Sequence, residues 1–509
     1  MKEILKTSFM QLLIIYTALV FLISFGIFKK FVIHFEIFAL IIAILAVISI
    51  DKEKSIKISK YWLILAFVLI FLFRIMPYIH NSVPLGYDPG IYNYIMQNSS
   101  ATDKWVMQGM EPGLFMIIDV LKFFGIGVNS ILTYGLIFFE ILLGISVYFT
   151  AKKFFNKSVG IIATVLYAVS ATQFMAFGYN YYKQIVGMIL LLLAFYFMKV
   201  KDEKPSKLNY VLLVASASFL GAVHRPTFLI FGLVFIAYTI YGSIKAKKAN
   251  FENIILGILI IAMTLLFYIG RIKEILLPFF IPILTASIGA GTFIDFTTYQ
   301  LLSLAYLPFA LFGVFFLAKK RNFNLLFFYF IINGIIVLFK IIFFDRYIIS
   351  LDIAMIIMAA YGLYLLLQNR KLGTIMAVLL IASSCYIVFL EAKNSKPLIN
   401  TEELSIIKSF NTTEPNAFIM STDGYYSPWL LYSQRRVIAP GMFDYDNWTR
   451  EEWGLFWNNT NVTSLMDRYE KPLYVFVGRN QPINKEIFNN GCFNLTIEQN
   501  GTFAYKWLC

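Results

Sequence analysis

Charge is what this chain has least of. Asp, Glu, Lys and Arg make up 14% of its 509 residues, where a soluble chain of that size would carry about 25%. Cysteine and histidine are scarce too, at three each, and three cysteines offer no zinc, haem or redox spacing. The sequence has no glycine-rich phosphate loop and no dinucleotide fingerprint. Its basic loops are too short to house a cytoplasmic nucleotide-binding domain. An enzyme built this way must receive its energy in a membrane-bound substrate. Acids within apolar runs are few, namely Glu36, Glu140 and Asp352, which argues against a proton-coupled pump. No inverted repeat or pair of broken helices marks a secondary transporter.

What is present is hydrocarbon. Hydrophobic residues reach 59% and the mean hydropathy is +0.72. Apolar runs of about 20 residues recur, each long enough to cross a bilayer core. Runs of that length without strand alternation satisfy their backbone there only as helices. The net charge of +14 does not point to nucleic acid. From Glu391 onward the chain is nearly balanced, so the excess lies in short loops between apolar runs, as the positive-inside rule requires. The first run, residues 9–28, lacks a small-residue cleavage site and reads as an anchor rather than a removed signal peptide.

Spans are expected at residues 9–28, 31–50, 61–79, 131–150, 159–175, 184–199, 210–223, 227–241, 254–269, 299–318, 325–344, 347–367 and 373–390. That is about 13 helices. Alternate loops are basic: Lys52, Lys54, Lys57 and Lys60; Lys152, Lys153 and Lys157; Lys201, Lys204 and Lys207; Lys245, Lys247 and Lys248; Lys319, Lys320 and Arg321; Arg370 and Lys371. These belong in the cytoplasm with the N-terminus, which puts the C-terminal tail outside. Lys29 and Lys30, in a tight hairpin, run against the rule.

Glycosylation sequons agree. The tail carries Asn411, Asn447, Asn458, Asn461, Asn494 and Asn500, and the first long outward loop carries Asn98. Chance would give the tail roughly two. Asn156 also matches but falls in a cytoplasmic loop. The stretch 275–288, broken by Pro278 and Pro282, is too short at about 14 residues to span, and reads as interfacial or re-entrant.

The expected division is therefore two N-terminal spans (1–60), a transmembrane core (61–391) with an outward loop at 80–130, and an extracytoplasmic α/β domain (392–509). Apolar runs at 417–420, 473–477, 493–497 and 503–508 read as its strands. Cys492 and Cys509 both lie outside the membrane, where a disulfide between them would pin the last strands. Cys385 sits inside a span as a core residue.

The outward loop is long for a bundle connection, at about 50 residues, and so a candidate functional element. It contains Gly86-Tyr87-Asp88-Pro89-Gly90-Ile91-Tyr92 and Glu111-Pro112-Gly113-Leu114-Phe115. Asp88 admits two readings. It caps the helix beginning at Pro89, or its carboxylate accepts a proton from a hydroxyl or ligates a divalent metal. Isolated cations mark the outward ends of spans: Lys183, His224-Arg225, Arg271 with Lys273, and Arg346 after Asp345. They either snorkel or pair locally, or together bind an anionic lipid head group.

In order and sidedness these motifs resemble the GT-C superfamily of membrane glycosyltransferases, especially the protein-mannosyltransferase and aminoarabinose-transferase-like branch. Asp88 matches the family's early acid in the first long outward loop, and Glu111-Pro112-Gly113-Leu114 its Pro-Pro-Leu-like motif. His224-Arg225-Pro226-Thr227 is similar to its outer junction, and Arg346-Tyr347 to the Arg-Tyr that opens a late span. The resemblance covers roughly residues 61–367. Many members have Asp-Glu where this chain has Asp88-Pro89, and the Trp-Trp-Asp-Tyr-Gly signature of oligosaccharyltransferases is missing. Ser421-Thr422-Asp423-Gly424-Tyr425-Tyr426 is no close substitute.

The resemblance implies inverting transfer of a sugar from a polyprenyl (dolichyl) phosphate carrier to a glycan or protein acceptor on the outer face of the cell membrane. It gives Asp88 the role of base, with Glu111 nearby, and assigns phosphate binding to Arg346, Arg225, His224, Lys183 and Arg271. A divalent metal (Mg or Mn) at Asp88 is one option; no other cofactor is implied. Partners are the lipid-linked donor and membrane lipids, and no nucleic acid. The rival reading is a non-catalytic membrane protein or a flippase for lipid-linked glycans.

Overall fold

The structure is a computed structural model that describes residues 2–24, 31–50, 53–98, 111–269, 294–341, 344–368, 370–439, 448–458, 463–479, 481, 483 and 485–509. The chain divides into two compact units. One comprises residues 1–77, 111–116 and 137–394, and the other residues 78–110, 117–136 and 395–509.

The first unit is helical. Among the described residues, seven helices are long and apolar enough to cross a membrane, or up to nine if each of two bent pairs is one span. Shorter apolar helices lie at Gln11–Val20, Lys207–Val223, Phe251–Leu266 and Leu325–Leu338. The expected count of 13 is not confirmed, because several apolar runs form helices of 10–17 residues or break in two. Large aliphatic side chains stay exposed on outer faces, as do Ile254, Ile255, Ile258 and Ile261 on Phe251–Leu266. Such faces fit lipid as the surrounding solvent. Phe344–Leu366 is buried along its whole membrane-length window, so it forms the centre of the bundle. It meets Leu307–Lys319 backbone to backbone. A Cβ on Gly362 would stand 2.0 Å from the Phe309 carbonyl oxygen, and one on Gly313 2.4 Å from that of Met358.

Two expected spans are broken. Lys157–Ala168 and Ala171–Gly178 meet at 53°, and Phe296–Ser303 and Leu307–Lys319 at 79°. The apolar runs continue across both breaks, so hydropathy hides them. The local signals are caps: Ser170 Oγ accepts from the Gln173 N–H, and Pro308 opens Leu307–Lys319, where a missing N–H costs nothing. One of the few acids within the apolar runs is paired. Arg74 Nε donates to Glu140 Oε2 at 2.7 Å, and the Tyr167 hydroxyl donates to the same oxygen at 2.8 Å. The three tie Tyr61–Ile75 to two neighbouring helices.

The second unit is built on a five-stranded sheet in the order β2-β1-β3-β5-β4. The strands are β1 (Phe418–Ser421), β2 (Arg436–Ile438), β3 (Leu473–Val477), β4 (Phe493–Gln499) and β5 (Thr502–Trp507). β1 runs parallel to both β2 and β3, while β5 is antiparallel to β3 and β4. Four strands fall where their apolar runs predict. β2 is missed, since three residues carry no readable alternation. Asn500 and Gly501 both have positive φ, as a two-residue hairpin requires. Cys492 and Cys509 are joined by a disulfide across that hairpin's ends. Apolar clusters fill both faces of the sheet, and Val83 from the long loop belongs to one of them.

Candidate functional site

Within the helical unit, the polar residues singled out by the sequence gather around one carboxylate. Glu111 is 3% exposed. Its Oε2 lies 3.0 Å from Lys183 Nζ, and its Oε1 accepts from Arg225 Nε at 3.3 Å. Lys183 stands where a short helix ends and Tyr182–Glu203 begins, and Arg225 opens Arg225–Ala246 with Pro226 behind it. The Glu111-Pro112-Gly113 motif has a steric reason: a Cβ on Gly113 would meet the Ala222 carbonyl at 2.9 Å. Only glycine lets this helix start come so close to the end of Lys207–Val223.

His224 is buried, with Nδ1 hydrogen-bonded to Thr227 Oγ1 at 2.7 Å. It packs on Gly187, whose Cβ would lie 2.9 Å from its own. Burial, aided by Lys183, Arg346 and Arg225, lowers its pKa to about 3 against the pull of Glu111. It is therefore a neutral imidazole at neutral pH. Burial alone would raise the Glu111 carboxyl, yet Lys183 and Arg225 hold it down at about 2. So low a value makes Glu111 a poor base and a strong anchor for the two cations. Arg346 completes the group, its carbonyl accepting from Gln184 Nε2 at 2.7 Å. Lys183 and Arg225 thus face one carboxylate, and the Arg346 charge acts on the neighbouring His224, an arrangement with spare positive charge for an anion. Arg271 lies outside the described residues.

A groove of about 810 Å³ opens from the same place. It runs between Arg225–Ala246 and Phe251–Leu266, lined by Phe228, Phe231, Ile236, Ile258 and Ile261, with Arg225 at one end and Ile244 toward the other. From Arg225 to Ile244 a helix covers roughly 28 Å, close to the roughly 30 Å of a bilayer core.

Asp88 lies in the second unit, at the start of Pro89–Gln97, and its side chain makes no capping hydrogen bond. The capping reading is therefore not what the turn shows. Gly86 has φ +92°, and Gly90 presses on the Pro428 carbonyl too closely for any Cβ. The Gly-Tyr-Asp-Pro-Gly pattern is thus a turn fitted against the tail's own helix Ser427–Leu430. The Tyr87 hydroxyl donates to the Gly424 carbonyl at 2.7 Å. Burial raises the Tyr87 phenol, and the charges of Asp88 and Asp423 add to the effect. Sequence reasoning set Asp423 aside; its only signal was the Asp-Gly turn. Among the described residues no group of three or more His, Cys, Asp or Glu could hold a metal ion. No step is routed through a metal.

Of the tail sequons, Asn411, Asn458, Asn494 and Asn500 are exposed. Asn98 is half-buried, its amide donating to the Tyr94 carbonyl at 3.0 Å, and Asn156 caps Lys157–Ala168. Asn447 and Asn461 lie outside the described residues.

No family model and no curated protein matches the sequence. Solved structures do match. The aminoarabinose transferase ArnT from Cupriavidus metallidurans, bound to undecaprenyl phosphate, aligns with a TM-score of 0.60 at 12% identity, over 88% of this chain and 98% of its own. The archaeal oligosaccharyltransferase AglB from Archaeoglobus fulgidus, in complex with an inhibitory peptide and a dolichol-phosphate, aligns at 0.59 and 12% identity over 82% of this chain and 69% of its own. The mycobacterial arabinofuranosyltransferase AftD aligns at 0.59 and 12% identity, over 90% of this chain but 40% of its own. The chain is a multi-pass membrane protein with the GT-C fold, carrying a small sheet domain at its C-terminus.

Proposed function

We propose that this chain is a membrane glycosyltransferase that takes its sugar from a polyprenyl-phosphate donor and acts on the outer face of the membrane. The observation that carries the reading is the pairing of groove and charge. An apolar channel of bilayer length ends at Arg225, which shares the Glu111 carboxylate with Lys183. Isoprenoid chains are apolar and their phosphates anionic, so one molecule satisfies both. The structural neighbours' complexes with dolichol-phosphate and undecaprenyl phosphate support the same donor class.

In the proposed reaction, the acceptor hydroxyl attacks the anomeric carbon and the bond from that carbon to the phosphate oxygen breaks. The hydroxyl proton passes to Asp88, and the bonding pair leaves with polyprenyl phosphate. Lys183, Arg225 and Arg346 stabilise the growing phosphate charge. Glu111 holds Lys183 and Arg225 in place, and neutral His224 keeps the pocket free of a further charge. Attack opposite the leaving group inverts the anomeric centre. Replacing a general base costs about 10²–10⁴-fold in rate. Asp88→Asn in membranes supplied with labelled lipid-linked sugar should therefore transfer at least about a hundredfold more slowly. Unchanged transfer removes Asp88 from the chemistry.

The two bent helix pairs favour a second reading, as a flippase for lipid-linked glycans, since transporters place their sites at such breaks. Movement of a lipid-linked sugar between the leaflets of reconstituted vesicles, with no transfer to any acceptor, would establish it instead.

A further inference from the structure

Both helix breaks converge on one side chain. Asp352, in the central helix Phe344–Leu366, is fully buried. Its Oδ2 accepts from Ser170 Oγ at 2.8 Å and from Gln173 Nε2 at 2.8 Å, and its Oδ1 accepts from the Tyr306 hydroxyl. Ser170 is the residue on which the chain restarts as Ala171–Gly178 after the first break. Tyr306 holds the same position before Leu307–Lys319 at the second. Gln173 Nε2 also donates to the Ile349 carbonyl at 3.1 Å, which fastens the restarted helix to the same turn of the central one.

A carboxylate is a costly choice at such depth. An apolar residue of similar volume would pack there with no desolvation penalty. What it could not do is orient two chain restarts from a single point, as a fully bonded polar network can. The first restart and Asp352's own helix bear on the cation cluster. Ala171–Gly178 hands the chain to a turn at Asn180, where φ is +58°, and so to Lys183. Asp352's own helix carries Arg346 six residues earlier, roughly 9 Å along its axis.

We infer that Asp352 is a positioning residue, which sets both breaks by hydrogen bonding and thereby places Lys183 and Arg346 for the donor phosphate. The inference rests on the proposed role of that cluster. It assigns the work to hydrogen-bond geometry rather than to charge, which has a checkable consequence. An asparagine can turn its oxygen to Ser170 and Gln173 and donate its amide to the Tyr306 oxygen, whose hydroxyl then reverses. Asp352→Asn keeps the latch; Asp352→Leu cannot.

The test is the affinity of the full chain, in lipid nanodiscs, for undecaprenyl phosphate, measured alongside its thermal midpoint. Asp352→Leu should weaken binding about tenfold or more, and Asp352→Asn no more than about threefold. Ser170→Ala and Tyr306→Phe, each deleting one oxygen, should fall between them well below their melting temperatures, and they carry the test should the leucine variant fail to fold. In transfer assays the donor KM should rise while the acceptor KM stays fixed. Asparagine as damaging as leucine overturns the inference, because charge would then be the requirement. Full affinity in Ser170→Ala and Tyr306→Phe overturns it as well. If the wild-type chain does not bind the lipid phosphate, the proposed function falls first and this inference with it.

Discussion

The buried pair Glu111 and His224 sets how the site responds to acid. His224 titrates at about 3 in the fold, against an ordinary value of 6.5. As pH falls through 6.5 the unfolded chain therefore takes up its proton before the folded chain does. The stability tied to a neutral His224 is whole above pH 6.5 and drains as pH approaches 3. Glu111, at about 2 against 4.5, contributes stability above pH 4.5 that drains only below it. The two windows are separable. The melting midpoint of the purified chain should fall between pH 6.5 and pH 5, and His224→Gln should flatten that limb while leaving the Glu111 part of the loss below pH 4.5. Identical curves for both proteins would show that His224 is not the group responsible. At this scale the sequence singled out Lys183, His224, Arg225 and Arg346 as cations on outward span ends, and the structure brings Lys183 and Arg225 onto Glu111 with His224 beside them. The sequence could not show that Glu111 binds two of them, because Glu111 lies 72 and 114 positions from its partners Lys183 and Arg225 and no local pattern links them.

Elements in this fold are joined by a few polar ties and by glycine. Arg74 and Glu140 are both wholly buried, so removing either partner leaves an uncompensated charge in the bundle. Glu140→Leu alone should cost about 3–5 kcal/mol, while the double replacement Arg74→Met with Glu140→Leu should recover most of it. Thermal or denaturant unfolding in detergent checks this, and a double variant no more stable than the single one would contradict it. Hydropathy reads the spans because a run of about 20 apolar residues has one physical meaning in a bilayer. It fails at residues 169–170 and 304–306, where the apolar run continues while the helix stops. Ser170 followed by Gln173 three residues on, and Pro308 at a helix start, were the available signals. They are easily overlooked inside hydrophobic sequence. Tertiary hydrogen bonds to Asp352 decide the matter, and those are invisible along the chain.

Across the whole molecule, charge poverty and apolar periodicity made the membrane class legible, and the order of motifs made the GT-C fold legible despite 12% identity to its structural neighbours. The tail's α/β character was readable from four of its five strands. The grouping of residues 78–110 and 117–136 with the tail was not, since it depends on packing such as Gly90 against Pro428 rather than on composition. The account rests on a lipid phosphate lying with its chain along the groove and its head at the cations. A photoreactive polyprenyl phosphate, cross-linked to the chain in native membranes and mapped by peptide mass spectrometry, tests that directly. Label should concentrate in Arg225–Ala246 and Phe251–Leu266 and be competed away by unlabelled polyprenyl phosphate. Label spread evenly over the lipid-facing helices, or indifferent to competitor, would contradict the account.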